Sequence, residues 1–372
     1  MKDAAIGFFD FAEADGYIWF AANNFNALCR ADLHTMSLEY VGAFPGEPML
    51  GHSLYRSVAR CGDRLVFAPF MAQGVGEYDL EKGEFTEHGR LKYPDIKFKF
   101  ETAITVGRSV YFVPQNYGYI VEYDTETGAI SETVSLRDIF NAENAALGIG
   151  SADSHGIMYV PRRFSNEMIK CNFKQKKFER IETDKDACLL INVLINDWLW
   201  MLPGKSRPIM KQNVLTGEIC TYPETTAVCG DSGIPFIKAI DCGSKIIFWR
   251  ELADSSLIYD KETDRFSKLP VSYEASEGLL EKPWAGNYYF AKQLDEYRIL
   301  GVSKKNHAIV ILDVNEVKLD SYIMKMSAED KKQWNKQYLR RRADMNTGQM
   351  LYFEDRINSL EWFLEFVNMR SL

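Results

Sequence analysis

Residues 112–128 read FVPQNYGYIVEYDTETG. A run of strand formers ends in Pro114, and the short polar loop Gln115-Asn116-Tyr117 follows. A second strand run ends in Tyr123-Asp124, and a Thr-Gly turn closes the stretch. The same grammar recurs. LVFAPFMAQGVGEYDLEKG (65–83) carries Pro69 and Asp79, IMYVPRRFSNEMIKCNFKQKK (157–177) carries Pro161 and Asn172, and LWMLPGKSRPIMKQNVLTG (199–217) carries Pro203 and Asn213. Residues 18–36, 246–264 and 299–317 place Ala22, Arg250 and Ser303 where the others place Pro, and end on Asp32, Asp260 and Asp313. The seven Asx positions are separated by 47, 45, 48, 41, 47 and 53 residues.

A period of about 47 residues, with two strand runs, an Asx turn, a third run and a small apolar run before each copy, describes four antiparallel strands per unit. The Asx side chain accepts from the backbone of the turn that follows it, and Gly supplies the left-handed position. Four-stranded units at this spacing predict an all-β, seven-bladed β-propeller over residues 1–326. The run before each copy forms the innermost strand. Complete units at both ends predict closure by a plain interface between blades 1 and 7. Residues 327–372 drop the strand grammar and predict a C-terminal α-helical extension. Ser327 with Asp330 opens its first helix in a capping-box pattern. Asn346-Thr347-Gly348 then breaks it, and Leu351, Ile357, Leu360, Leu364 and Val367 give a second helix an apolar face. That face packs on the propeller or serves as a docking or dimerisation element.

The repeats resemble two propeller groups. DGYIWFAANN…RADLHTMSLEYVG and NDWLWMLPG…QNVLTGEICTYPET are similar to repeats of the virginiamycin B lyase group. SSLIYDKETDRFSKLPVS resembles a kelch-type blade edge without the Gly-Gly doublet. The resemblance covers roughly residues 5–324 and bears on fold more than function, because propellers host enzymes, sugar binders and scaffolds alike. The lyase resemblance implies a divalent metal and a histidine general acid over the channel, opening a lactone by elimination. Those residues do not map onto this chain position by position.

The 372 residues are 46% hydrophobic and 26% charged, with net charge −8. That balance argues against nucleic acid or an anionic membrane as the main partner. Met1-Lys2-Asp3-Ala4-Ala5 lacks a basic region followed by a long apolar one, so no signal peptide is expected. No window nears 18 consecutive apolar residues. Seven cysteines without CxxC spacing read as reduced core thiols and point to a cytoplasmic protein. There is no glycine-rich phosphate loop, GxSxG, HExxH or Cys/His metal spacing, so no cofactor and no metal is expected.

In a propeller, the loops joining strands 2 to 3 and strand 4 to the next blade gather on one face. The register places Asn24, Phe25, Gln115, Asn116 and Tyr117 there from blades 1 and 3, a mix suited to sugar hydroxyls and ring faces. It places Arg162, Arg163, Lys205, Arg207, Arg250 and Lys304 there from blades 4–7, and Trp284 from the loop leading into blade 7. This cationic arc on an acidic protein suits a phosphate, carboxylate or anionic glycan. The expected function is a ligand-binding or scaffold propeller for a polar, anionic or carbohydrate-like ligand or a protein partner. The alternative is a propeller enzyme of lyase or glycan-active type that uses a channel-mouth histidine, with or without a divalent metal. For it the candidate catalytic residues are His52 and His307, with Glu101 or Glu47 as partner.

Overall fold

A computed structural model describes residues 6–86, 90–142, 145–150, 152–153, 156–185, 187–205, 207–226, 236–250, 256–269, 288–304 and 306–344. They form seven blades, spanning 12–42, 55–86, 100–135, 149–182, 189–222, 236–268 and 288–322. Within six of the seven blades all four strands pair in sequence order and antiparallel. The third strand of every blade ends on its Asx residue: Asp32, Asp79, Asp124, Asn172, Asn213, Asp260 and Asp313. Each of these side chains accepts from the backbone of the following turn. Asp124 Oδ1, for example, takes the N–H groups of Glu126 and Thr127, both at 3.0 Å. Pro69, Pro114, Pro161 and Pro203 close second strands, where the missing N–H costs no ladder bond.

Blade 4 departs from the common plan. Its innermost strand shrinks to Ile149–Gly150 and runs parallel to Ile191–Asn192 of blade 5. Single bridges at Leu147–Arg162 and Ala152–Met158 keep it on its own blade. Two glycines allow this straddling position. A Cβ on Gly148 would lie 2.0 Å from Leu190 O, and one on Gly150 would lie 2.8 Å from Tyr159 O.

Apolar seams between neighbouring blades form the core. Between blades 2 and 3, Val66, Ala68, Phe100, Phe112 and Tyr123 are all at most 1% exposed. Polar clasps sit at the position two residues before the Asx. Glu77 of blade 2 accepts from Tyr123 Oη of blade 3 at 2.6 Å and pairs with Arg64. Lys211 of blade 5 donates to Tyr259 Oη of blade 6 at 2.7 Å and lies 4.8–5.3 Å from four aromatic ring centres.

Blade 7 takes all its strands from 288–322 and blade 1 from 12–42, so no strand is exchanged at closure. Phe8 and Phe11 pack against Phe290, Lys292 pairs with Asp10, and Ile6 N donates to Met324 O.

The chain divides into two compact units, Met1–Trp334 and Asn335–Leu372. Helix α1 (Leu136–Phe140) follows blade 3, and helix α2 (Ala328–Asp344) follows blade 7. The start of α2 is a reciprocal capping box: Ser327 Oγ accepts from Asp330 N at 3.0 Å, and Asp330 Oδ2 accepts from Ser327 N at 3.2 Å. Two anchors tie the start of α2, up to Trp334, to blade 1. Trp334 Nε1 donates to Asn26 O at 3.1 Å, and Asp330 Oδ1 accepts from Tyr40 N at 3.3 Å. The second tail helix expected over 351–367 lies outside the described residues. The six described cysteines are free thiols, and Cys229 lies outside the described residues. Among the described residues no helix is long and apolar enough to cross a membrane.

Candidate functional site

The innermost strands enclose a channel cavity of about 790 Å³ that opens to the funnel-face loops. Blades 2–7 contribute to its wall, and Phe9 and Asp10 complete it from the segment leading into blade 1. Five cations line it: Arg56, Arg163, Lys238, Lys292 and Lys304. Three carboxylates face them: Asp10, Glu101 and Asp153. Apolar wall between them comes from Ile149, Leu190, Ile191, Phe236 and Phe290.

The charged residues form two clusters. The first gathers around Glu101, whose side chain is 4% exposed. Its Oε1 accepts from Arg56 Nε at 2.8 Å, and Arg163 Nη2 lies 4.0 Å from Oε2. The Gln115 amide joins them, donating to Glu101 Oε2 at 2.8 Å and accepting from Arg163 Nη1 at 3.1 Å. Arg163 also donates through Nε to Leu147 O at 2.7 Å. Burial pulls the Arg163 guanidinium below its usual range, and Glu101 offsets this. Above this cluster Arg56 stacks over the rings of Phe9 at 4.5 Å and Phe70 at 5.0 Å.

The second cluster centres on Asp10. Its Oδ1 accepts from Lys292 Nζ at 2.9 Å and Phe11 N at 2.8 Å. Its Oδ2 accepts from Ser57 Oγ at 2.7 Å and Val58 N at 3.1 Å. Four donors occupy the capacity of one carboxylate. Lys238 stands near this cluster, on the innermost strand Phe236–Cys242, beside a register shift that opens between Phe236 and Lys238. Its ammonium has no hydrogen-bond or ion-pair partner among the described residues. Burial, then the charge of Lys292, pulls its pKa below the usual lysine range, and Asp10 only partly opposes them.

At the rim, Phe98 is 43% exposed and lies 5.1 Å from Phe70, ring centre to ring centre. Its φ is 55°, a left-handed backbone that a bulky side chain rarely adopts. The chain holds a large ring at the cavity mouth in a strained conformation.

The expected site residues separate into distinct groups. Gln115, Arg163, Lys304 and Glu101 line the cavity together. Asn24 and His307 meet at the same face, Nδ2 to Nε2 at 3.5 Å, and burial lowers the His307 pKa. His52, Asn116, Lys205 and Arg207 are exposed, and Arg250 is half-buried at the end of its strand. None of these five lines the cavity. Three residues are held in internal contacts. Phe25 is 5% exposed and packs edge-on against Trp334 at 5.4 Å, because α2 covers blade 1 there. Tyr117 is 3% exposed and packs on Phe100 at 4.8 Å within the seam between blades 2 and 3. Arg162 pairs with Glu167, which also holds Arg180 at 2.6 Å. Glu47, the other candidate partner, is buried. Trp284 lies outside the described residues. Among the described residues, no group of three or more His, Cys, Asp or Glu is arranged to hold a metal ion.

Reading loops alone missed Asp10, Arg56, Lys238 and Lys292, which sit on or beside the innermost strands. The signal was present. Six of the seven innermost runs carry an ionisable residue in an otherwise small or apolar stretch: Asp10, Arg56, Glu101, Asp153, Lys238 and Lys292. A charge inside a strand that should be buried on both faces must point into a polar lumen or find a partner.

No family model matches the chain, and no curated protein matches it. Solved structures do. Virginiamycin B lyase from Staphylococcus aureus superposes with a TM-score of 0.60 at 13% identity, covering 82% of this chain and 96% of its own. YCF48 from Cyanidioschyzon merolae gives 0.62 at 12%, covering 85% and 98%. A chain of the mitotic checkpoint complex gives 0.55 at 11%, covering 86% and 87%. At these identities the likeness is one of fold. It matches the lyase-type repeat resemblance as a propeller, and the kelch-type resemblance only in part.

Proposed function

We propose that this propeller binds a small organic anion in its central channel. The observation that carries the reading is Lys238. A lone ammonium in a protein interior is costly unless something compensates it. Here the local carboxylate, Asp10, already accepts four hydrogen bonds. Glu101 is likewise held by Arg56, Gln115 and Arg163. Among the described residues the lumen therefore carries five cations against three carboxylates, on a protein whose net charge is −8. An entering carboxylate or phosphate would complete it.

The apolar wall favours a ligand with a short carbon skeleton over a bare inorganic ion. The Arg56–Phe9–Phe70 stack and Phe98 provide flat surface at the mouth. A carbohydrate ligand fits this lumen less well than a carboxylate. Of the ring side chains expected to stack on sugars, Phe25 and Tyr117 are committed to internal packing. The test compares lactate with its uncharged counterpart lactamide by calorimetry on the full chain. Lactate should bind, lactamide should not, and Lys238→Met should weaken lactate binding at least about tenfold, the loss of one charge-assisted contact. Equal binding of the two compounds would reject the reading.

A further inference from the structure

We infer that Lys238 is an amine nucleophile that forms an imine with a carbonyl-bearing carboxylic acid, a 2-oxo acid being the simplest class. This rests on the anion-binding reading of the same channel and adds covalent chemistry to it.

Three features of the site carry the inference. First, Lys238 projects from a fixed innermost strand into a cavity large enough for a small acid, with part of its side chain open to the lumen. Second, no carboxylate, amide or carbonyl among the described residues ties its nitrogen down, so the lone pair of the neutral amine is available. Third, a second cation stands close by. Lys292 is held in place by Asp10 Oδ1 at 2.9 Å and Phe11 O at 2.5 Å. Desolvation beside another cation is the arrangement that activates a lysine amine, because both disfavour the ammonium. Among the described residues only Lys99 has a fully buried ammonium without a hydrogen-bond partner, and it is 0% exposed and does not line the cavity.

The roles divide between the two lysines. The Lys292 ammonium, already charged and oriented, attracts the carboxylate. The neutral Lys238 amine attacks the carbonyl carbon. Both amine hydrogens end on the carbonyl oxygen, which leaves as water, and a C=N bond replaces C=O. No electron acceptor or donor is needed.

The test uses the full chain with pyruvate and sodium borohydride, which reduces an imine to a stable secondary amine. Peptide mass mapping should find a gain of one pyruvate less one oxygen on Lys238. Its yield should clearly exceed that at every other lysine, because burial and the neighbouring Lys292 charge both favour the neutral amine there. Lactate, which carries the carboxylate but no carbonyl, should compete. Lys238→Arg keeps the charge, so it should still bind lactate but yield no selective adduct. Lys238→Met, the second variant, should lose both. If lactate binds while adducts spread evenly over the lysines, the imine inference is overturned and the anion-binding reading stands. If neither lactate binding nor a selective adduct is seen, both fail.

Discussion

Replacing Asp10 by Asn should push stability and ligand affinity in opposite directions. The carboxylate takes two donors on each oxygen. The amide keeps one acceptor and presents an NH2 group to the other two donors. Ser57 Oγ can rotate to accept from it, whereas the Val58 N–H cannot and is orphaned. An unsatisfied buried donor costs about 1–3 kcal/mol. The lost ion pair adds less, about 0–1 kcal/mol, because Lys292 is 36% exposed and Asp10 is 19% exposed. The sum is a loss of about 1–4 kcal/mol, read as a lower urea midpoint with unchanged slope. The same change removes a negative charge beside the ligand. At an effective dielectric near 50 and a separation of about 7 Å, that repulsion amounts to about 1 kcal/mol, or roughly fivefold in affinity. Lactate should therefore bind the less stable variant more tightly, as calorimetry would record. A variant that loses both stability and affinity would place Asp10 among the ligand-binding groups and refute the reasoning.

The remaining predictions concern the clasps, the rim and pH. Tyr123→Phe removes the hydroxyl that donates to the fully buried Glu77 carboxylate, and should cost about 1.5–3 kcal/mol in chemical denaturation; a loss near zero would mean the clasp is idle. Phe98→Gly relieves a left-handed backbone, worth about 1–2 kcal/mol, against about 0.4–1 kcal/mol of added unfolded-state freedom. It should leave the protein as stable or slightly more so while weakening ligand binding, and a clear destabilisation would show that the ring is structural. For His307, burial depresses the pKa from 6.5, so the unfolded chain binds the proton more readily. Its share of stability is present above about pH 6.5 and is lost as pH falls toward the folded-state pKa. His307→Gln should flatten that part of the stability–pH curve, and an unchanged slope would assign it to other groups.

The scaffold was legible because its signals are local and repeated. Each Asx caps its own turn, and each second strand ends where Pro or its equivalent stands, so the register at 32, 79, 124, 172, 213, 260 and 313 passed directly into strand ends. Blade 4 was less legible. Its inner run, LGIGSADS, has the right length, but Gly148 and Gly150 let it slide against blade 5, a tertiary choice that no local pattern encodes. The site was legible by face but not by direction. Register placed Gln115, Asn116 and Tyr117 in one loop, yet Gln115 turns to Glu101 while Tyr117 turns into the seam beside Phe100. Which way a loop side chain turns depends on neighbours from other blades. The lumen charges were readable from the innermost runs, where Lys238 and Lys292 interrupt strands that otherwise look like core.

The central claim is that the channel holds an anion at Lys238. Crystals of the full chain soaked in sodium bromide and measured at the bromine edge test it most directly, because the anomalous signal reports position without a ligand hypothesis. The account predicts a bromide peak in the lumen at contact distance from Lys238 Nζ, absent in Lys238→Met. Bromide bound at surface lysines with the channel empty would contradict it.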